Sequence, residues 1–185
     1  MPRAATRELL EHSVRAYAGA VGSAAPAPGA GSVAALTAAL AAALNEKVAR
    51  KSPDPVTQQL AKTMARTRER LLNLVDDDAR AFSDVMRAWK GTPLQRRRAL
   101  KMATKIPLAV CSDCSMIHDV ALRLAAVAKP AIRADAQAAQ RLAVGALQAA
   151  RLMVEVNLSL MDDAAFAQAA QEALNKYAQS CPPTS

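Results

Sequence analysis

The stretch Ser32-Val33-Ala34-Ala35-Leu36-Thr37-Ala38-Ala39-Leu40-Ala41-Ala42-Ala43-Leu44 decides the fold. Alanine is the strongest helix former, and no residue in this run interrupts a helix. Ser32 suits an N-cap, which predicts a helix over 32–51 that the Ser52-Pro53-Asp54-Pro55 cluster then breaks. The apolar run 33–44 is about half the length that crosses a bilayer, so it reads as a core helix.

The rest of the chain has the same character. Of its 185 residues, 52% are hydrophobic but only 3% are aromatic. About a quarter are alanine, far above an average composition. Sheets are built from the aromatic and branched residues that are scarce here, which excludes an all-β fold and argues against α/β. The reading is all-α: a bundle of about six helices forming one domain over 1–180, with 181–185 as a flexible tail. Helices are predicted over 3–20, 32–51, 56–89, 93–128, 134–160 and from Asp162-Asp163 to about 180. Pro107 should kink or break the fourth of them.

The net charge of +8 and pI near 9.9 suit an anionic partner. Arg66, Arg68, Arg70 and Arg96-Arg97-Arg98 are the local concentrations of that charge. Stacking aromatics and nucleic-acid motifs are missing, so nucleic acid is not the expected partner. The opening MPRAATRELLEHS turns charged before any long apolar run, unlike a signal peptide. Three cysteines are too few for a disulfide scaffold. A cytoplasmic protein with reduced thiols and no membrane association is expected. Cys111, Cys114 and His118 share a helical face, but three ligands on one straight helix span too far to converge on one ion. No metal is expected.

Placed on a wheel at 100° per residue, the third helix collects Leu71, Val75, Phe82, Val85, Met86 and Trp89 into an apolar stripe. Asp78 falls inside that stripe, Asp76 at its edge, and Asp77 and Asp84 outside it. A carboxylate in an apolar stripe must be paired, hydrogen-bonded or protonated, and burial raises its pKa. Asp78 therefore reads either as a general acid or base, or as a structural cap, salt bridge or polar interface group. The fifth helix repeats the device: Ala138, Leu142, Gly145, Ala149, Met153, Val156 and Leu160 form its stripe, with Asp135 on the same side and Asn157 at the margin. Spacing alone favours Asp135 as the N-cap of that helix. Finally, Pro26-Ala27-Pro28-Gly29-Ala30-Gly31-Ser32 leads into a helix N-terminus, whose free N–H groups suit an anion or a carbonyl oxygen. It lacks the Gly-Lys-Ser/Thr ending of a phosphate loop.

These segments, in this order, resemble the cyclodeaminase/cyclohydrolase family. The matching pieces are 23–32 (SAAPAPGAGS), 74–82 (LVDDDARAF), Ile106-Pro107-Leu108-Ala109, Ala134-Asp135-Ala136, Val156-Asn157-Leu158 and Asp162-Asp163-Ala164-Ala165-Phe166. The resemblance implies an all-helical homodimer whose folate site lies partly at the subunit interface, with no metal and no tightly bound cofactor. It implies hydrolysis of 5,10-methenyltetrahydrofolate to 10-formyltetrahydrofolate, or cyclodeamination of formiminotetrahydrofolate. Carried over by position, Asp78, Asp76 and Asp135 would be catalytic; Pro28, Gly29, Gly31, Ser32 and Asn157 would bind substrate. The family's triple glycine reads Gly29-Ala30-Gly31 here, and its Gly-Asn before the second aspartate motif reads Ala128-Lys129. Two other readings stand beside this one. The first is a relative catalysing a different C–N bond-forming or bond-breaking reaction, and the second is a non-catalytic helical scaffold.

Overall fold

A computed structural model describes residues 9–181. A 3₁₀ turn at Leu9–Glu11 precedes α1 (Val14–Val21), α2 (Ala30–Arg50), α3 (Pro55–Ala88), α4 (Pro93–Val127), α5 (Pro130–Ser159) and α6 (Ala164–Ser180). There is no strand among the described residues. The single helix expected over 3–20 is instead a turn followed by α1, because Ser13 accepts the Ala16 N–H and starts a new helix. Residues 3–8 of that expectation lie outside the described residues.

Helices α2 to α5 form an up-down bundle in which α2 packs on α3 and α5, and α4 also packs on α3 and α5. Polar clasps fix the register. Asn45 on α2 donates to the Ile117 carbonyl on α4 at 2.9 Å, and Arg70 Nε on α3 donates to Asp113 on α4 at 2.9 Å. Helix α6 docks chiefly on α4.

The core is made of small side chains. Ala34, Ala35, Ala38, Ala39, Ala41, Ala42 and Ala49 of α2 meet Ala136, Ala139, Ala143, Ala146 and Ala150 of α5, all within 1% of full burial. Without side chains to hold them apart, the helices approach closely, and methyl groups supply the packing. By length and apolarity α2 passes as a membrane-crossing helix, but 61% of that window is buried inside the bundle.

Two further boundaries depart from the sequence reading, and of the kink or break expected at Pro107 the break does not occur. Helix α4 runs unbroken through Pro107, which is buried. Proline removes the N–H that would bond the Ala103 carbonyl four residues back. That carbonyl instead accepts Asn157 Nδ2 from α5 at 3.0 Å. Helix α5 begins at Pro130, so Asp135 is not its N-cap. Cys181, expected in the frayed tail, is 3% exposed and belongs to the core; residues 182–185 lie outside the described part.

Candidate active site

Helix α3 has 34 residues and α2 has 21. The first turn of α2 meets α3 at Val75 and Asp78. Residues 79–88 therefore run past the end of α2 by about 15 Å at 1.5 Å per residue. Beyond that point α3 and α5, which face each other across the bundle, have no α2 between them. The space left is a cavity of about 470 Å³.

Its floor is Pro26, Ala27 and Gly29–Gly31; one wall is Ala81, Phe82, Val85 and Met86 of α3 with its C-cap Trp89; the other is Met153, Val156 and Asn157 of α5 with its C-cap Leu160. Ala103 of α4 closes the back. Among the described residues, Asp78 is the one ionisable side chain in that lining. The α3 stripe expected to be buried is thus covered only in its first half. Leu71 and Val75 are fully buried, but Phe82, Met86 and Trp89 are 38%, 55% and 46% exposed, on the cavity side. Arg96 lies over the Trp89 ring, 5.9 Å from its centre, at this end of the bundle.

Asp78 is held by α2. Ser32 donates its backbone N–H to the carboxylate, and its hydroxyl lies 3.1 Å from Asp78 Oδ2 and 2.9 Å from the Val75 carbonyl. Ser32 is fully buried and is not the N-cap of α2: Gly29 holds that position, and the cap group comes from a neighbouring helix as Asp78 itself. A Cβ built on Gly31 would sit 2.1 Å from Asp78 Oδ1. The carboxylate lies across the Cα of Gly31, where only glycine leaves room. Burial pushes the Asp78 pKa up, against the opposing pull of the two Ser32 hydrogen bonds. Asp78 therefore both holds the first turn of α2 and faces the cavity.

The other expected site residues divide. Gly29, Gly31 and Asn157 line the cavity; Pro28 and Ser32 are buried behind it. The amide of Asn157 is committed to the Ala103 carbonyl that Pro107 leaves free. Asp76 is 6% exposed and turned away, accepting the Leu9 N–H at 2.7 Å, which pins the N-terminal turn to α3. Asp135 pairs with Lys47 at 2.8 Å near the start of α5. Along α5 it is 22 residues, about 33 Å, from Asn157.

The α5 stripe also needs correction. The buried face is Ala136, Ala139, Ala143, Leu147, Ala150 and Val154, whereas Leu142, Val156 and Leu160 are 38%, 52% and 49% exposed. The apolar stripes of the sequence thus include the cavity walls as well as the core.

Cys111, Cys114 and His118 are buried, and no cluster of three metal-ligating side chains forms among the described residues. Burial drives the Cys111 thiol up to about 12 and Cys114 well up, so both stay protonated.

Residues 13–176 match the formiminotransferase-cyclodeaminase family. The chain is 32% identical to a methenyltetrahydrofolate cyclohydrolase of Methylorubrum extorquens over 174 residues, covering 84% of each protein. It is 31% identical to the formimidoyltransferase-cyclodeaminase of Sus scrofa, covering 94% of this chain but 35% of that longer protein. Its fold matches the crystal structure of a formiminotetrahydrofolate cyclodeaminase from Thermotoga maritima with a TM-score of 0.90, at 26% identity, over 94% of this chain and 92% of the other.

Proposed function

The chain belongs to the formiminotransferase-cyclodeaminase family, and from that premise we propose that it is a folate one-carbon enzyme that hydrolyses 5,10-methenyltetrahydrofolate to 10-formyltetrahydrofolate. The observation that carries this reading is Asp78, a lone carboxylate with a raised pKa in an apolar cavity. The substrate is a cation whose charge is spread over N5, the bridging carbon and N10. A carboxylate in a low-dielectric pocket attracts that cation, and the cation in turn favours the ionised carboxylate.

The chemistry then balances on one group. Asp78 takes a proton from water as its oxygen bonds to the bridging carbon. The C–N5 bond breaks, its electron pair goes to N5, and Asp78 returns the proton there. The hydroxyl of the adduct loses its proton to solvent as the formyl C=O forms. The reaction needs no metal or redox partner. The match to a stand-alone cyclohydrolase over 84% of both chains favours this reaction over cyclodeamination.

Asp76, Asp135 and Asn157 take different parts in this scheme. Asp76 anchors the N-terminal turn, and Asn157 positions the α5 wall. Asp135 reaches the site from a second copy of the chain. The outward stripe of α5 carries Asp135 at one end and Val156 at the other, with Gly145 midway. Gly145 has nothing within 4 Å of an added Cβ. A helical glycine costs about 1 kcal/mol relative to alanine, and nothing among the described residues requires that one. Leu142, one turn before it on α5, is 38% exposed, and Leu40 of α2 is 56% exposed. An antiparallel α5 contact about a twofold axis at Gly145 sets residue 135 of each copy against 155–156 of the other. A cytoplasmic homodimer with two composite sites is the resulting assembly.

The test is the decay of the near-ultraviolet absorbance of 5,10-methenyltetrahydrofolate with wild type, Asp78→Asn and Asp135→Asn. Acceleration by wild type that is lost in Asp78→Asn supports the reading. A wild-type rate equal to the spontaneous one excludes it and turns the search to other C–N substrates.

A further inference from the structure

We propose that Ser32 is a two-position hydrogen-bond partner that serves Asp78 in both of its protonation states, and so sets the pH at which Asp78 exchanges its proton. This rests on the reading of Asp78 as the proton-handling group of the proposed reaction. The geometry is a hydroxyl with one proton and two acceptors. Ser32 Oγ is 2.9 Å from the Val75 carbonyl and 3.1 Å from Asp78 Oδ2. Ser32 is 0% exposed, so water does not serve in place of either acceptor.

One proton cannot satisfy both acceptors, but the two states of Asp78 need different things. When Asp78 is ionised, the hydroxyl turns to Oδ2 and makes a charge-assisted bond. When Asp78 has taken a proton, its own O–H donates to a lone pair on Ser32 Oγ, and the serine proton turns to Val75 O. The second lone pair of Val75 O is free for this, since a helical carbonyl uses one on its own ladder. No heavy atom moves between the two states. Gly31 keeps the carboxylate in place by letting it lie against the backbone of α2, with Oδ1 the atom that a Cβ would strike.

Among the described residues, the charged and titratable groups around Asp78 leave this control to Ser32. From α1, the Tyr17 phenol interacts with both Asp78 and Asp76, and burial and those two carboxylates push its pKa up, so it is neutral. Asp76 is engaged by Leu9 N–H. Asp77 is paired with Arg80, at 2.8 Å. From α4 and α5 the cavity receives only Ala103, Asn157 and apolar side chains.

The test is a carboxyl ¹³C titration by NMR of wild type, Ser32→Ala and Ser32→Thr, with Asp78→Asn identifying the signal and far-ultraviolet circular dichroism checking the fold. The charge-assisted bond is roughly twice as strong as the neutral one, so its loss dominates. In Ser32→Ala the Asp78 midpoint should rise by about half a unit to one unit, and in Ser32→Thr it should stay within about 0.3 of wild type. The acid limb of the turnover profile should move with the midpoint, while KM changes less than about threefold. An unmoved or lowered midpoint in folded Ser32→Ala overturns the proposal. A raised midpoint in a protein that does not turn over methenyltetrahydrofolate keeps the Ser32–Asp78 coupling and removes the folate reaction instead.

Discussion

The two halves of α3 carry the same apolar period and meet different fates. In the first half Ala61, Met64, Leu71 and Val75 are at most 3% exposed, because α2 and α4 cover them. In the second half Phe82, Val85, Met86 and Trp89 continue the stripe, but α2 has ended, and they become the wall of a cavity. Periodicity tells which face is apolar; the lengths of the neighbouring helices decide whether that face is core or binding surface. Asp78 sits at the junction, held by the last covering turn and open to the cavity.

Breaking the junction should have the largest effect. Asp78→Asn is expected to slow turnover by about 10²–10³-fold. Its stability should move the other way. Burial holds the folded pKa of Asp78 above its unfolded value, so the charged form destabilises the fold above that folded pKa and the neutral form does not. Thermal unfolding should therefore give Asp78→Asn a higher Tm than wild type at pH 7, with the gain vanishing below about pH 4. An equal gain at both pH values would refute the assigned cause.

The next contrast compares the halves directly. Leu71→Ala should cost about 3 kcal/mol in denaturant unfolding, since it opens a void in a closed core. Phe82→Ala should cost under about 1 kcal/mol, because its ring is already partly exposed, but should raise KM severalfold. Equal stability losses would mean that the second half is ordinary core.

A smaller effect tests the cavity wall. Asn157→Ala should cost about 1–2 kcal/mol in wild type, by stranding the Ala103 carbonyl. In a Pro107→Ala background the restored N–H meets that carbonyl, and the same change should cost under about 0.5 kcal/mol. Costs that simply add would break the link between Pro107 and Asn157. The smallest expected effect is at Asp76. Asp76→Asn should cost about 1 kcal/mol through the weakened Leu9 clasp and change kcat less than about threefold.

The helices and Asp78 were legible because both depend on local rules: alanine content, proline breaks and the position of one acid on a wheel. The face of α5 was not. Its core side is lined largely by alanines such as Ala139, Ala143 and Ala150, while larger Leu142, Val156 and Leu160 point outward. A wheel that weights size and hydrophobicity selects the outer stripe, because it cannot know that these helices pack at alanine distance. The spacing of Ser32 fits an N-cap, but Gly29 holds that position and the Ser32 hydroxyl turns to Val75 O and Asp78 Oδ2 on α3, 43 and 46 residues away. Asp76 and Asp78 share a motif, but two residues on a helix are 200° apart, which sends one to the N-terminal turn and the other to the cavity. Asp135 looks catalytic by position, and within one chain it is a helix-length away.

The most direct measurement uses Trp89, the single tryptophan of the chain, which lies in the cavity wall. Its fluorescence would be followed during titration with 5-formyltetrahydrofolate, a stable folate, and corrected for inner-filter loss against free N-acetyltryptophanamide. The account predicts saturable quenching that weakens in Phe82→Ala and survives in Leu71→Ala at temperatures where that variant is folded. Quenching no greater than that of the free indole would contradict it, and would mean that the uncovered half of α3 is not where a folate binds.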